Sequence, residues 1–180
     1  KMDVVELKVE GIETVDTTKF LRVTMSSVAN PMQKTTMWLH TETKQTGLAI
    51  YKQGEGMNIY LVEDSEMVRQ RVKAIVNEIG GMHVTGEAVT PWHAISSIVN
   101  ERPDAVVLDI GLVGGSGMSV LRRVRELAPE IPVIVLTNYF SPEFREECLK
   151  SGAKYFFDKT NEFEKIGGAL AQIASSKLSN

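Results

Sequence analysis

One cysteine in 180 residues, Cys148, excludes an internal disulfide and any zinc site built on paired thiolates. That composition fits a reducing compartment. Long apolar runs are missing as well: no stretch approaches the roughly 20 residues that cross a bilayer. No leader pattern of charged, apolar and small residues opens the chain, so the expectation is a cytoplasmic protein without a membrane span. Neither charge sign dominates. Lys plus Arg number 20 against 23 Asp plus Glu, a net charge of -3, with no like-charged block long enough to act as a tail. Direct nucleic-acid binding is therefore not expected. The three histidines, His40, His83 and His93, lack metal-ligand spacing and read as ordinary surface or core residues. What remains, 43% apolar and 24% charged residues, is the balance of a globular chain with a core to bury.

The chain divides near residue 56. Before it, apolar residues alternate with polar ones: Val5, Leu7 and Val9 against Glu6, Lys8 and Glu10, then Leu21, Val23 and Met25 against Arg22 and Thr24. Period two means strand. Residues 36–41 and 47–52 are two more β-rich runs separated by a polar loop, which predicts a four-stranded antiparallel meander over residues 1–56. So small a sheet leans on something else, and the segment reads either as a fused upstream piece or as an oligomerising one. It carries seven residues of each charge sign, so the acidic excess belongs to residues 57–180.

From residue 57 the pattern changes to strand, helix, strand, helix. Short continuous apolar runs lie at 59–62, 84–88, 105–108, 133–136 and 155–157, as in strands covered on both faces. Between them the apolar residues take helical spacing, for example Val68, Val72, Ile75, Val76 and Ile79, or Met118, Leu121 and Val124. Ser65 and Ser141-Pro142 stand where helix caps belong, and the last helix is expected from about Asn161. This is an α/β pattern, solved most economically by a five-stranded, doubly wound parallel sheet.

Ligand crevices in such sheets lie beyond the carboxyl ends of the strands. Here those ends carry Glu63-Asp64, Asp109, Thr137-Asn138 and Asp158-Lys159. Glu63, Asp64 and Asp109 brought together would repel unless protonated or offset by a cation. Oxygen-only donors with room for water and phosphate suit Mg²⁺. Lys159 supplies a compact positive charge, Thr137 a hydroxyl, and Asp109 a nucleophile that would yield an aspartyl phosphate.

Residues 57–180 resemble a bacterial two-component response-regulator receiver domain of flavodoxin-like fold. The resemblance rests on Tyr60-Leu61-Val62-Glu63-Asp64, Arg102-Pro103-Asp104 before Val106-Val107-Leu108-Asp109, Gly117, Pro132 through Thr137, and Gly152-Ala153 with Lys159 seven residues past the glycine. It implies that Asp109 is the phosphoacceptor and that Glu63, Asp64, Asp109 and the carbonyl of Gly111 serve Mg²⁺. It also implies that Lys159 contacts the phosphoryl group and that Thr137 and Phe156 form a switch pair. The chain departs from the family in three ways. Val113 replaces a common proline, Thr160 replaces the proline that often follows the lysine, and the loop from Gly111 to Gly117 holds four glycines, which predicts a flexible segment.

The expected function is a phosphorylation-controlled signalling switch, modified by a sensor histidine kinase or a histidine phosphotransfer protein. It would act only on its own aspartate and change the face of the fourth helix, fifth strand and fifth helix for dimerisation or target docking. The alternative is an interaction module that signals without phosphorylation. A dehalogenase-type phosphatase is disfavoured, because those enzymes place a second acid two residues after the nucleophile, where this chain has Gly111. Cys148 beside Glu146 and Glu147 is expected to be inert, and Trp38 and Trp92 to be partly buried. With no DNA-binding helices after the last helix, output is expected through docking or through an effector lying outside these residues.

Overall fold

The computed structural model describes residues 56–178, together with the backbone of residues 5–15, 18–27 and 34–40. Strands β1 (Val5–Val15), β2 (Thr18–Ser27) and β3 (Lys34–His40) form an antiparallel sheet in that order. Its register sets Leu7 opposite Met25 and Val9 opposite Val23, so the alternating positions align across the ladder. An irregularity follows Val9, and β1 continues through the less apolar residues to Val15. The predicted fourth strand, 47–52, and the side chain of Trp38 lie outside the described residues.

The second sheet is parallel throughout, with strands β4 (Met57–Val62), β5 (Met82–Ala88), β6 (Ala105–Leu108), β7 (Val133–Thr137) and β8 (Tyr155–Asp158) in the order β5-β4-β6-β7-β8. Helices α1 (Glu66–Glu78), α2 (Pro91–Glu101), α3 (Gly117–Leu127), α4 (Pro142–Lys150) and α5 (Lys165–Leu178) connect and follow the strands. The chain steps one way from β4 to β5, then returns to build β6, β7 and β8 on the other side. That reversal opens a crevice beyond the ends of β4 and β6.

Strand alternation sorts the core into two layers. Ile59, Leu61, Val107, Ile134 and Leu136 pack with α1 and α5 through Val72, Val76, Ile166 and Leu170. Tyr60, Val62, Val106, Leu108 and Val135 pack with α2 and α3 through Ala94, Ile98, Leu121 and Val124. All of these are buried, so truncating one, such as Leu121→Ala, is expected to cost about 2–5 kcal/mol.

Two helix starts differ from the sequence reading and one agrees. Ser141 caps α4 as predicted, its Oγ accepting from Phe144 N at 3.1 Å. Ser65 occupies the cap position of α1 without capping it; its N–H instead donates to Glu63 Oε1 at 3.0 Å. Helix α5 starts at Lys165 rather than near Asn161, because residues 158–162 form a turn of their own. The loop before α3 ends with Gly117 N donating to Ile110 O at 2.9 Å and with Ser116 capping the helix, its Oγ accepting from Met118 N at 3.2 Å.

Candidate functional site

Strand β4 delivers Glu63 and Asp64 to the crevice, and β6 delivers Asp109. One oxygen from each of the three carboxylates lies within 4.8 Å of the others. Glu63 and Asp109 are 2% and 6% exposed, a burial that like charges do not tolerate uncompensated. Compensation comes from the far edge of the sheet. Lys159, just past β8, reaches across β7 and sets its Nζ 2.7 Å from Asp109 Oδ2 and 2.7 Å from Glu63 Oε2. Burial nevertheless pushes the Glu63 carboxyl above its ordinary pKa, opposed mainly by the hydrogen bond and charge of Lys159.

Backbone donors complete the arrangement. Gly111 N donates to Asp109 Oδ1 at 3.1 Å, and Val113 N donates to Asp64 Oδ2 at 3.0 Å. The loop thus holds one carboxylate from each side of the crevice. Gly111 admits the ring of Tyr139: a Cβ there would lie 2.7 Å from it. Gly117 is tighter still, since a Cβ would fall 2.2 Å from the carbonyl oxygen of Asp109, so glycine is what lets α3 begin directly against the strand end.

Thr137 ends β7, fully buried, and its Oγ1 accepts from Tyr139 N at 3.3 Å. Phe156 lies on the β8 face toward α4. Its neighbours Tyr155 and Phe157 join the opposite core layer. Its ring is 1% exposed, edge-on to Phe144 at 6.2 Å and 6.3 Å from Phe140, with the Arg145 guanidinium 5.9 Å above it. Tyr139 and Phe140, by contrast, are largely exposed and line a cavity of about 610 Å³ with Ile110, Leu112 and Phe144.

The turn after Lys159, where the usual proline is Thr160, is held by Asp158. Its Oδ1 accepts from Thr160 N at 3.0 Å and its Oδ2 from Asn161 Nδ2 at 2.6 Å. Asp158, although at a strand end, therefore serves the turn and not the crevice.

The structure brings together Glu63, Asp64, Asp109, Gly111 and Lys159, with Thr137 on the strand between. Sequence reading missed two residues at this site. Tyr139 was hidden in a loop. Arg69 left a trace: a cation at the fourth position of α1 sits near the positive end of the helix dipole, which calls for a local partner. Trp92, predicted partly buried, is 82% exposed at the start of α2. His83 and His93 are exposed, whereas Cys148 is buried, its thiol pushed up to about 11 by burial and then by Glu147. Among the described residues no helix is long and apolar enough to cross a membrane.

Three oxygen donors of this kind fit a hard divalent cation better than a soft one. Comparison with known proteins agrees with the arrangement. The family model for the response regulator receiver domain matches residues 59–171. The transcriptional regulatory protein DesR of Bacillus subtilis is 23% identical over 121 residues, covering 67% of this chain and 60% of DesR. The oxygen regulatory protein NreC of Staphylococcus epidermidis is 30% identical over 111 residues, covering 61% of this chain and 51% of NreC. This chain thus spans between half and three fifths of these relatives. The signal receiver domain of the putative response regulator NarL from Mycobacterium tuberculosis superposes with a TM-score of 0.62 at 25% identity, over 67% of this chain and 98% of that domain. The matched residues run from β4 into α5 and contain every group of the crevice, and the chain accordingly belongs to the response regulator receiver family.

Proposed function

We propose that the domain is a phosphorylation-controlled switch in which Asp109 accepts a phosphoryl group from the phosphohistidine of a sensor kinase or phosphotransfer protein. The observation that carries this reading is the buried triad of Asp109, Glu63 and Lys159, with one ammonium shared between two carboxylates at 2.7 Å. A carboxylate oxygen of Asp109 attacks phosphorus, the donor P–N bond breaks, and its electron pair returns to the imidazole. Glu63, Asp64, Asp109 and the Gly111 carbonyl would hold Mg²⁺, which offsets charge on the transferring group. Lys159 stays beside Asp109 to receive the negative charge that arrives with the phosphoryl oxygens.

The output runs through Thr137. Drawing its hydroxyl toward the phosphoryl group gives up the bond to Tyr139 N and frees the Tyr139-Phe140 segment. Phe140 rests on Phe156, and Arg145 above that ring also pairs with Glu162 at 3.6 Å, so the change reaches the face of α4, β8 and α5. Phe156 is already buried, so it has no need to swing in from solvent. The movement biases an existing equilibrium toward a surface for a downstream protein or a second copy of the chain.

Incubation with acetyl phosphate and Mg²⁺ tests the assignment. Wild-type protein is expected to gain acid-labile phosphate and Asp109→Asn to gain none; equal labelling of the two would overturn it.

A further inference from the structure

We infer that Arg69 is a positioning residue for the cation-binding carboxylate pair Glu63 and Asp64, fixing their backbone through its carbonyls; this rests on the phosphoswitch reading of the crevice. Its Nη1 donates to the carbonyl of Glu63 at 2.9 Å and to that of Asp64 at 3.0 Å. Its Nη2 pairs with Glu66, and its Nε lies 3.1 Å from Glu87 Oε2. The side chain is only 13% exposed, so these bonds are poorly replaced by water.

The acidic residues are consequently pinned at both ends. Their carboxylates are held from across the crevice, Glu63 by Lys159 and Asp64 by the N–H of Val113. Their carbonyls are held by one guanidinium. Glu87 gives that guanidinium a firm post, because β5 pairs Glu87 with Leu61 of β4 and the Tyr60 hydroxyl donates to the Glu87 carbonyl at 3.2 Å. Lys73 pairs with the same carboxylate. One nitrogen, Nη1, serves both carbonyls, and it is aimed there because Nη2 and Nε of the same rigid plane are held by Glu66 and Glu87; an ammonium presents its donors from a single point and has no such second anchor.

Loss of the fork frees two peptide planes directly attached to the cation ligands, so the cost of ordering them moves into metal binding. Groups that orient metal ligands in this way typically change affinity by about 10–100-fold. The lower end of that range is expected here, since the carboxylate ends keep their own partners.

The test is Mg²⁺ alone, titrated calorimetrically into the full chain as wild type, Arg69→Lys, Glu87→Gln and the double variant. The Mg²⁺ concentration giving half-maximal acetyl phosphate labelling is measured alongside. Arg69→Lys is expected to weaken Mg²⁺ about tenfold, with labelling recovered as Mg²⁺ is raised. Glu87→Gln is expected to weaken it less and to add nothing in the Arg69→Lys background, because both act through one contact. Wild-type affinity in Arg69→Lys, or lost labelling that Mg²⁺ does not recover, would overturn the role of Arg69. Should Arg69→Lys not fold, unchanged affinity in Glu87→Gln overturns it equally. Wild-type protein that takes up no Mg²⁺ would instead overturn the reading of the crevice, and this inference with it.

Discussion

Lys159 Nζ donates to Asp109 Oδ2 at 2.7 Å, a bond between residues fifty positions apart with both side chains less than a tenth exposed. Removing the ammonium strands two buried carboxylates, Asp109 and Glu63, and breaking a buried pair in this way costs about 3–5 kcal/mol. Lys159→Ala is therefore expected to unfold at a lower urea concentration than wild type in metal-free buffer, by roughly 3 kcal/mol. Mg²⁺ should restore part of that loss. A variant as stable as wild type without metal would mean that the ammonium does not offset the carboxylates.

Gly117 has no room for a methyl group, with the Asp109 carbonyl oxygen 2.2 Å from where a Cβ would stand. The obstacle is backbone, so it cannot yield by changing rotamer. Gly117→Ala is expected to destabilise the domain by about 1–3 kcal/mol and to slow labelling of Asp109 by shifting its peptide. Gly114→Ala is the control. Nothing lies within 4 Å of its Cβ position, but its φ of +82° costs an alanine some strain, so it should lose stability without slowed labelling at saturating Mg²⁺.

The Asp158 carboxyl is held below its ordinary pKa, first by the backbone N–H of Thr160 and then by Asn161. A depressed folded pKa contributes stability that is complete above the ordinary carboxylate value of about 3.9 and is lost as pH falls through the folded value. Wild type should thus exceed Asp158→Asn in urea midpoint by a constant margin from pH 7 to pH 5. The margin should shrink as pH is lowered further toward 3. A margin that holds or widens in acid would show that the turn does not depend on the charged form.

The elements that carry the crevice were readable from residue types because strand ends are local features. Each of Glu63-Asp64, Asp109, Thr137 and the pair Asp158-Lys159 directly follows an apolar run, and parallel strands bring such ends to one edge of a sheet. Phe156 was named through the family resemblance, and β8 places it on the face opposite Tyr155 and Phe157. The cap at Ser65 misled because a serine before a helix has two competing uses, and here the neighbouring Glu63 carboxylate takes its N–H. Helix α5 was read too early because Asp158 and Glu162 make a turn whose hydrogen bonds leave no trace in hydrophobic spacing. Trp92 was expected partly buried from residue type alone, whereas its place at the start of α2 leaves it outside both core layers.

Sequence by itself determined the parallel α/β sheet and the chemical groups at its edge, since periodicity and strand-terminal residues depend on neighbours in the chain. Only the tertiary structure decided how those groups are held. It bridges Asp109 and Glu63 with Lys159, closes Tyr139 over Gly111, gives Asp158 to a turn, and anchors the acidic pair through Arg69 to Glu87 on the next strand. The physical reason is reach. Hydrogen bonds and ion pairs act over about 3 Å between side chains from different elements, and such distances are set by packing, not by spacing along the chain.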